Sequence, residues 1–276
     1  MKSLTTVLES AVTPLYESLL DDEDKILDDT SRSIKDLIKD FLRENYGNAN
    51  LCKISSKPNK DGKYIVNSEY AVSVRHSDCT SLTNGYFIFG TVEGNFDCCH
   101  CRNLTSLEGA PKKVGINFIC NFCNNLISLE GAPEEVGGYF KCSMCQKLET
   151  LKGAPKKVGG DFVCNLCKSL TNLKGAPKEV GGDFSCTSCA KLKTLEGSPK
   201  EVGGYFDCDE NDNLESLKGC PKKVKGHFNC QNCIQLANLK GAPKTVGGDF
   251  YCQGCARTFT KEDVKRVSNV EGEIYV

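Results

Sequence analysis

The sequence has no tryptophan, two methionines and only three histidines, His76, His100 and His227. So little imidazole leaves few groups for general acid–base work near neutral pH. The phosphate-cradling pattern G-x-x-x-x-G-K-S/T does not occur, which removes the commonest nucleotide-binding loop. No apolar run approaches the roughly 20 residues that span a bilayer. The opening Met1-Lys2-Ser3-Leu4 soon meets Glu9, Glu17 and Asp21 and does not read as a signal peptide. A charge excess is missing too: 35 basic against 36 acidic residues give a net charge of −1. The chain as a whole therefore draws in neither nucleic acid nor an anionic membrane. Together these absences point to a cytoplasmic protein that is not an enzyme.

Cysteine is what the chain has in excess, at 19 of 276 residues. Without an export signal these thiols are expected to stay reduced, so a disulfide framework is not anticipated. They are also strictly placed. Phe96, Phe118, Phe140, Phe162, Phe184, Phe206, Phe228 and Phe250 recur at a constant step of 22. Two residues after each comes Cys98, Cys120, Cys142, Cys164, Cys186, Cys208, Cys230 or Cys252. Three further on stand Cys101, Cys123, Cys145, Cys167, Cys189, Asn211, Cys233 and Cys255, followed by paired leucines and then Gly, Pro and Val. One degenerate copy precedes these, with Val74, His76, Cys79, Leu82, Val92 and Gly94 on the same phases, for about nine in all.

The spacing has a physical reading. Phe and the first Cys lie two apart and so face the same side of a short strand, while Gly and Pro mark turns. One 22-residue unit cannot bury its apolar residues alone. Stacking units at roughly 4.8 Å gives each row its own kind as neighbour. The expected fold is a repeat solenoid with a curved parallel β-sheet, capped by helices at its N-terminus and by a short helix and strand at its C-terminus.

The unit also resembles the leucine-rich repeat, L-x-x-L-x-L-x-x-N/C-x-L. Phe184 matches one leucine, Cys186 the next and Cys189 the Asn/Cys position, and Asn211 at that phase fits the alignment. Units such as Gly153 to Cys164, and the ending from Phe259 through Val276, are similar to short leucine-rich-repeat proteins of tailed bacteriophages and some bacteria. The resemblance covers residues 74–276. It implies a phage-type protein directed at a host protein such as a defence factor, in the host cytoplasm.

The expected segments are 1–47, a helical hairpin; 48–73, a hairpin and transition; 74–257, the solenoid; and 258–276, a cap. Leu4, Val7, Leu8, Ala11, Val12, Leu15 and Leu19 keep helical spacing, as do Ile34, Leu37, Ile38, Phe41 and Leu42, with Thr30 or Ser31 as cap and Gly47 as stop. These helices over 1–46 either cover the first repeat or recruit a partner themselves. A turn is expected at Lys60-Asp61-Gly62-Lys63, and a capping box at Thr260 with Asp263.

The cysteines allow two readings. Cys98/Cys101 with Cys120/Cys123 has zinc-ribbon spacing, and His76/Cys79 beside them would supply a mixed zinc site. Both phases are also inward positions of the repeat, where a thiol packs as a small apolar group and needs no cofactor. Asn211 interrupts the second row without interrupting the repeat, which favours core over metal. Cys99 and Cys220 lie off both rows and are expected as exposed thiols.

The outward strand positions vary as a recognition surface would. They include Tyr139, Lys141, Asp161, Val163, Asp183, Tyr205, Asp207, His227, Asn229, Asp249 and Tyr251. This acidic and aromatic concave face suits a protein partner with a basic or amphipathic segment and repels phosphate backbones. The opposite edge carries lysines (Lys112, Lys156, Lys178, Lys200, Lys222, Lys244) without interleaved aromatics, and reads as a solvated edge.

Overall fold

A computed structural model describes residues 32–276; the helix expected over Leu4–Leu19 and the caps at Thr30 and Ser31 lie outside the described residues. The described residues open with α1 (Ile34–Asn45), capped by the Ser33 hydroxyl, which accepts the Asp36 N–H. Its spacing of Ile38 and Leu42 buries one face. The helix stops at Asn45, before Gly47, because Tyr46 turns into β1 (Tyr46–Gly47) and buries its ring. There the ring packs edge-on against Phe89, 5.3 Å away, and its hydroxyl donates to the Leu82 carbonyl at 2.6 Å. Next, β2 (Cys52–Ile54) and β3 (Tyr64–Ser68) pair antiparallel. Their turn is held by Asn59, whose Oδ1 accepts the N–H groups of Asp61 and Lys63.

From β4 (Val72–Val74) and β5 (Phe87–Val92) onward the chain winds as a parallel β-solenoid of about 10 turns. Among the described residues it forms two 11-stranded sheets, one more than the sequence reading foresaw. The first takes the two-residue Phe strands, such as Phe162–Val163, and runs from β1 and β4 to the last strand, Ile274–Tyr275. The second takes the Val strands, such as Lys157–Val158, and runs from β2 to Asn269–Val270. The P-K-x-V edge is thus strand as well as turn. Val158 goes in while Lys157 stays out, and the flanking main chain bonds turn to turn, as in Lys178 N–H to Lys156 O at 3.1 Å.

Between the sheets lie rows of identical side chains. The Phe rings from Phe96 to Phe228 stack nearly parallel, for instance Phe140 on Phe162 at 5.3 Å and 5°. Burying one such ring contributes about 1.5–3 kcal/mol, and an offset stack adds about 0.5–1.5. Beside them run two cysteine rows and two leucine rows, also buried. The second cysteine row is a hydrogen-bond ladder. Cys123, Cys145 and Cys167 donate Sγ–H to the carbonyls of Cys98, Cys120 and Cys142, each at 3.2 Å. Asn211 does the same work with an amide. Its Nδ2 donates to Cys186 O and Cys208 O, and its Oδ1 accepts Cys189 N–H at 2.8 Å.

The residue between the two cysteines takes a left-handed backbone in turn after turn, from His100 (φ 63°) through Asn232 (φ 54°), although none of these is glycine. The conformation costs about 1–2 kcal/mol per residue. It aims each N–H at the next turn, as in Leu166 N–H to Thr187 O at 2.9 Å. At the bend after the leucines only glycine fits: Gly153 has φ +90°, and a Cβ there would lie 2.5 Å from Glu130 Cα.

The first copy is phased differently from the sequence reading. Val72, not Val74, pairs with Phe96, so the step there is 24 residues. His76 consequently leaves the core; its exposed ring Nε2 lies 2.9 Å from the Glu44 carbonyl. At the other end the Thr260–Asp263 capping box starts α2 (Lys261–Lys265).

Asn211→Ala should lower stability by about 1–3 kcal/mol, because three buried main-chain groups lose a partner. Asn211→Cys should recover most of that loss by restoring the row; urea denaturation of both variants checks the order.

Candidate binding face

The open side of the Phe sheet carries the expected columns, but the first has a second duty. At six of the eight positions before a Phe, a side-chain acceptor takes the N–H of the matching residue one turn on. Asn117 Oδ1 accepts Tyr139 N–H at 2.9 Å, Asp161 Oδ1 accepts Asp183 N–H at 2.9 Å, and Asp183 Oδ1 accepts Tyr205 N–H at 2.7 Å. His227 Nδ1 accepts Asp249 N–H at 2.7 Å, and Asp249 Oδ1 accepts Glu273 N–H at 2.8 Å. Asp161, Asp183, His227 and Asp249 are therefore partly a polar spine of the solenoid. This role was hidden in the sequence because donor and acceptor lie a full turn apart.

Tyrosines interrupt the spine, and their rings turn to solvent. Tyr139 holds the Lys141 ammonium 4.3 Å above its ring, which occupies the face's one regular cation. Tyr205 is 49% exposed and begins a run of rings: His227 at 4.6 Å, Tyr251 at 5.9 Å from His227, and Tyr275 stacked on Tyr251 at 4.7 Å and 3°. Tyr275 was missed because the last step is 24 residues, Tyr251 to Tyr275; the pair Ile274-Tyr275 after Gly272 was the available signal.

Carboxylates line this run. Burial, with Asp209 close by, pushes the Asp207 carboxyl up to about 6. Burial also raises Asp209, with Glu210 adding to it. Asp249 is held below the usual carboxylate range by the Glu273 N–H and by the Tyr251 hydroxyl, which donates to it at 2.9 Å. Of the expected residues, Asp183, Tyr205, Asp207, His227, Asn229, Asp249 and Tyr251 lie on adjacent turns and form one cluster. Asp161 and Val163 border it, while Tyr139 and Lys141 form their own pair one turn further back.

The cysteine pairs are hydrogen-bonded within the core. The Cys123 thiol is spent as a donor to the Cys98 carbonyl, and His76 faces away toward Glu44. Its bond with Cys123 and burial hold the Cys98 thiol well above its ordinary range, and burial does the same at Cys120. Among the described residues no three or more His, Cys, Asp or Glu side chains converge as a metal-binding group. Cys99 and Cys220 are half-buried rather than exposed; burial and Asp97 push Cys99 up to about 12.

On the far edge lysines pair with glutamates across turns, as in Lys156–Glu134 at 3.5 Å and Lys157–Glu179 at 3.6 Å. Such exposed pairs contribute about 0–1 kcal/mol each. No described helix is long and apolar enough to cross a membrane. Comparison with protein-family models, curated proteins and solved structures found no match.

Asp183→Lys should lower the melting temperature because Tyr205 N–H loses its acceptor, whereas Asp183→Asn should keep it within about the 0.5 kcal/mol typical of neutral substitutions. Differential scanning calorimetry of the two variants separates charge from hydrogen bonding. Asp207 gives a pH test. Its folded-state carboxyl is raised, so the folded form holds the proton more tightly and stability falls as pH rises from about 4 to about 6. Asp207→Asn should therefore melt higher than the parent at pH 8, and the difference should shrink toward pH 4.

Proposed function

We propose that the protein is a non-enzymatic binding scaffold whose Phe-sheet face, at its C-terminal turns, engages a protein partner bearing a basic or amphipathic segment. The observation that carries this is the run Tyr205, His227, Tyr251 and Tyr275 beside Asp183, Asp207, Asp209 and Asp249. Guanidinium and ammonium groups stack on such rings and pair with such carboxylates, and tyrosine is a favoured hot-spot residue. A phosphate backbone would meet like charge there. The short aromatic run offers two or three anchors rather than a deep pocket, which suits a linear segment more than a small molecule.

The resemblance to short phage and bacterial leucine-rich-repeat proteins supports a host protein, such as a defence factor, as the partner and the host cytoplasm as the place of encounter. No step of this reading calls for a cofactor.

The test is capture of a partner from bacterial lysate by the immobilised full-length protein, followed by affinity measurement. Tyr205→Ala with Tyr251→Ala, and separately Asp207→Asn with Asp209→Asn, should weaken binding by about tenfold or more, the scale of one interface anchor. The far-edge pair Lys178→Glu with Lys200→Glu should leave it unchanged. Binding lost in the lysine variant and kept in the tyrosine variant would overturn the assignment of the face.

A further inference from the structure

Along the Val strands each turn offers carbonyls to the turn that follows. Lys222, Val224 and Gly226 accept the N–H groups of Lys244, Gly247 and Gly248; Lys244, Val246 and Gly248 accept those of Asn269, Glu271 and Gly272. In the last turn the same places fall to Ser268, Val270 and Gly272. Their strand, Asn269–Val270, is the outermost of its sheet and has no neighbour beyond it. In a parallel strand a residue turns its N–H and its C=O to the same side, so Val270 presents a donor there as well.

Ser268 stands where the preceding turn carries the exposed Lys244, but it is packed under α2, whose Val264 carbonyl accepts its N–H at 2.9 Å. Only 5% of the residue is exposed, yet its hydroxyl has no hydrogen-bond partner. It lines an open cleft of about 450 Å³ together with Lys261 and Lys265, one helical turn apart on α2, and the edge residues Val270, Gly272 and Glu273. Lys261 reaches Glu273 at 3.9 Å, and among the described residues Lys265 has no ion-pair partner.

The cleft thus gathers a buried hydroxyl without a partner, two ammonium groups and a strand edge whose carbonyls lack donors. A small anion would answer the first two and leave the edge unpaired. An extended peptide answers all three. Its main-chain N–H groups meet the edge carbonyls, one of its carbonyls takes the Val270 N–H, and an acidic side chain lies between the lysines and accepts the Ser268 hydroxyl. We propose that this C-terminal cleft binds an extended acidic peptide segment, which joins the Val sheet as one more strand. The site is separate from the Phe-sheet face and prefers the opposite charge.

The experiment titrates full-length protein into the fluorescein-labelled peptide Val-Glu-Val-Glu-Val-amide and follows anisotropy. Binding is expected, and added sodium chloride should weaken it by screening the ion pairs. The same peptide with lysine in place of glutamate should not bind. N-methylation of alternate peptide amides should abolish binding in one of the two registers and spare it in the other, because only one edge of the peptide pairs. Lys261→Glu with Lys265→Glu should weaken binding about tenfold or more. Ser268→Ala should weaken it by about three- to tenfold, the scale of one hydrogen bond, while the melting temperature holds or rises because an unpaired buried hydroxyl is gone. Tyr205→Ala with Tyr251→Ala should leave this peptide's affinity unchanged, which separates the outcome from that for the Phe-sheet face. No binding to the parent protein would overturn the proposal, as would affinity unchanged in both the lysine and the serine variants. Equal binding of the two N-methylated forms, or displacement of the peptide by an equal concentration of sodium phosphate, would also overturn it and make the cleft a small-anion site. Self-association that the lysine variant abolishes and the peptide does not compete away would assign the edge to a second copy instead.

Discussion

Everything in this molecule follows from one ladder of main-chain hydrogen bonds that joins each turn to the next at a constant register. Phe140 N–H to Asp161 O and Cys142 N–H to Val163 O, at 2.8 and 2.9 Å, are two rungs of it. Because the register is constant, every residue has its own repeat-equivalent as neighbour on both sides. A position can therefore hold only what tolerates a copy of itself at strand spacing. Phenylalanine stacks, leucine packs, and cysteine is small enough to line up while its thiol finds a carbonyl. Charges tolerate it least. The outward position of the Val strands accordingly alternates Lys113, Glu135, Lys157 and Glu179 before the pattern lapses at Glu201.

The same constraint explains how the acidic column survives. Asp161 and Asp183 stand on neighbouring turns, where two carboxylates would repel, yet each accepts a main-chain N–H that offsets its charge locally. Structure and the proposed recognition thus share residues. The tyrosines do not carry this double load: Tyr139 and Tyr205 hold spine positions without an acceptor to contribute, so their rings are free to face outward. That is why the exposed aromatic run, more than the aspartates, carries the proposed recognition.

The repeat, its core rows and the overall solenoid were legible in the sequence because the period never varies between Phe96 and Phe250. The second sheet was not. Its strands are two residues long, too short for alternation to show, and Pro and Gly around them read as turn. The ends failed for a related reason: both the first and the last steps are 24 residues, so extrapolating the internal period misplaced Val74 and His76 and passed over Tyr275. The candidate face was legible as a set of variable positions. Its hydrogen-bonding half was not, since an aspartate that accepts a backbone N–H one turn away looks the same in sequence as one that only meets water. Cys99 and Cys220 show the converse, residues off the regular rows that the structure nonetheless half-buries.

The constant register has a consequence for how such a chain changes over time. Any point between Phe96 and Phe250 and its counterpart one turn later share backbone direction, burial and hydrogen-bonding pattern. Excising or duplicating the stretch between two such points rejoins like to like, and the remaining ladder closes without a mismatch. Length is thereby separated from fold. The protein can be resized in steps of roughly 4.8 Å, moving surface features nearer or further apart along its axis, where a globular domain would have to repack its whole interior.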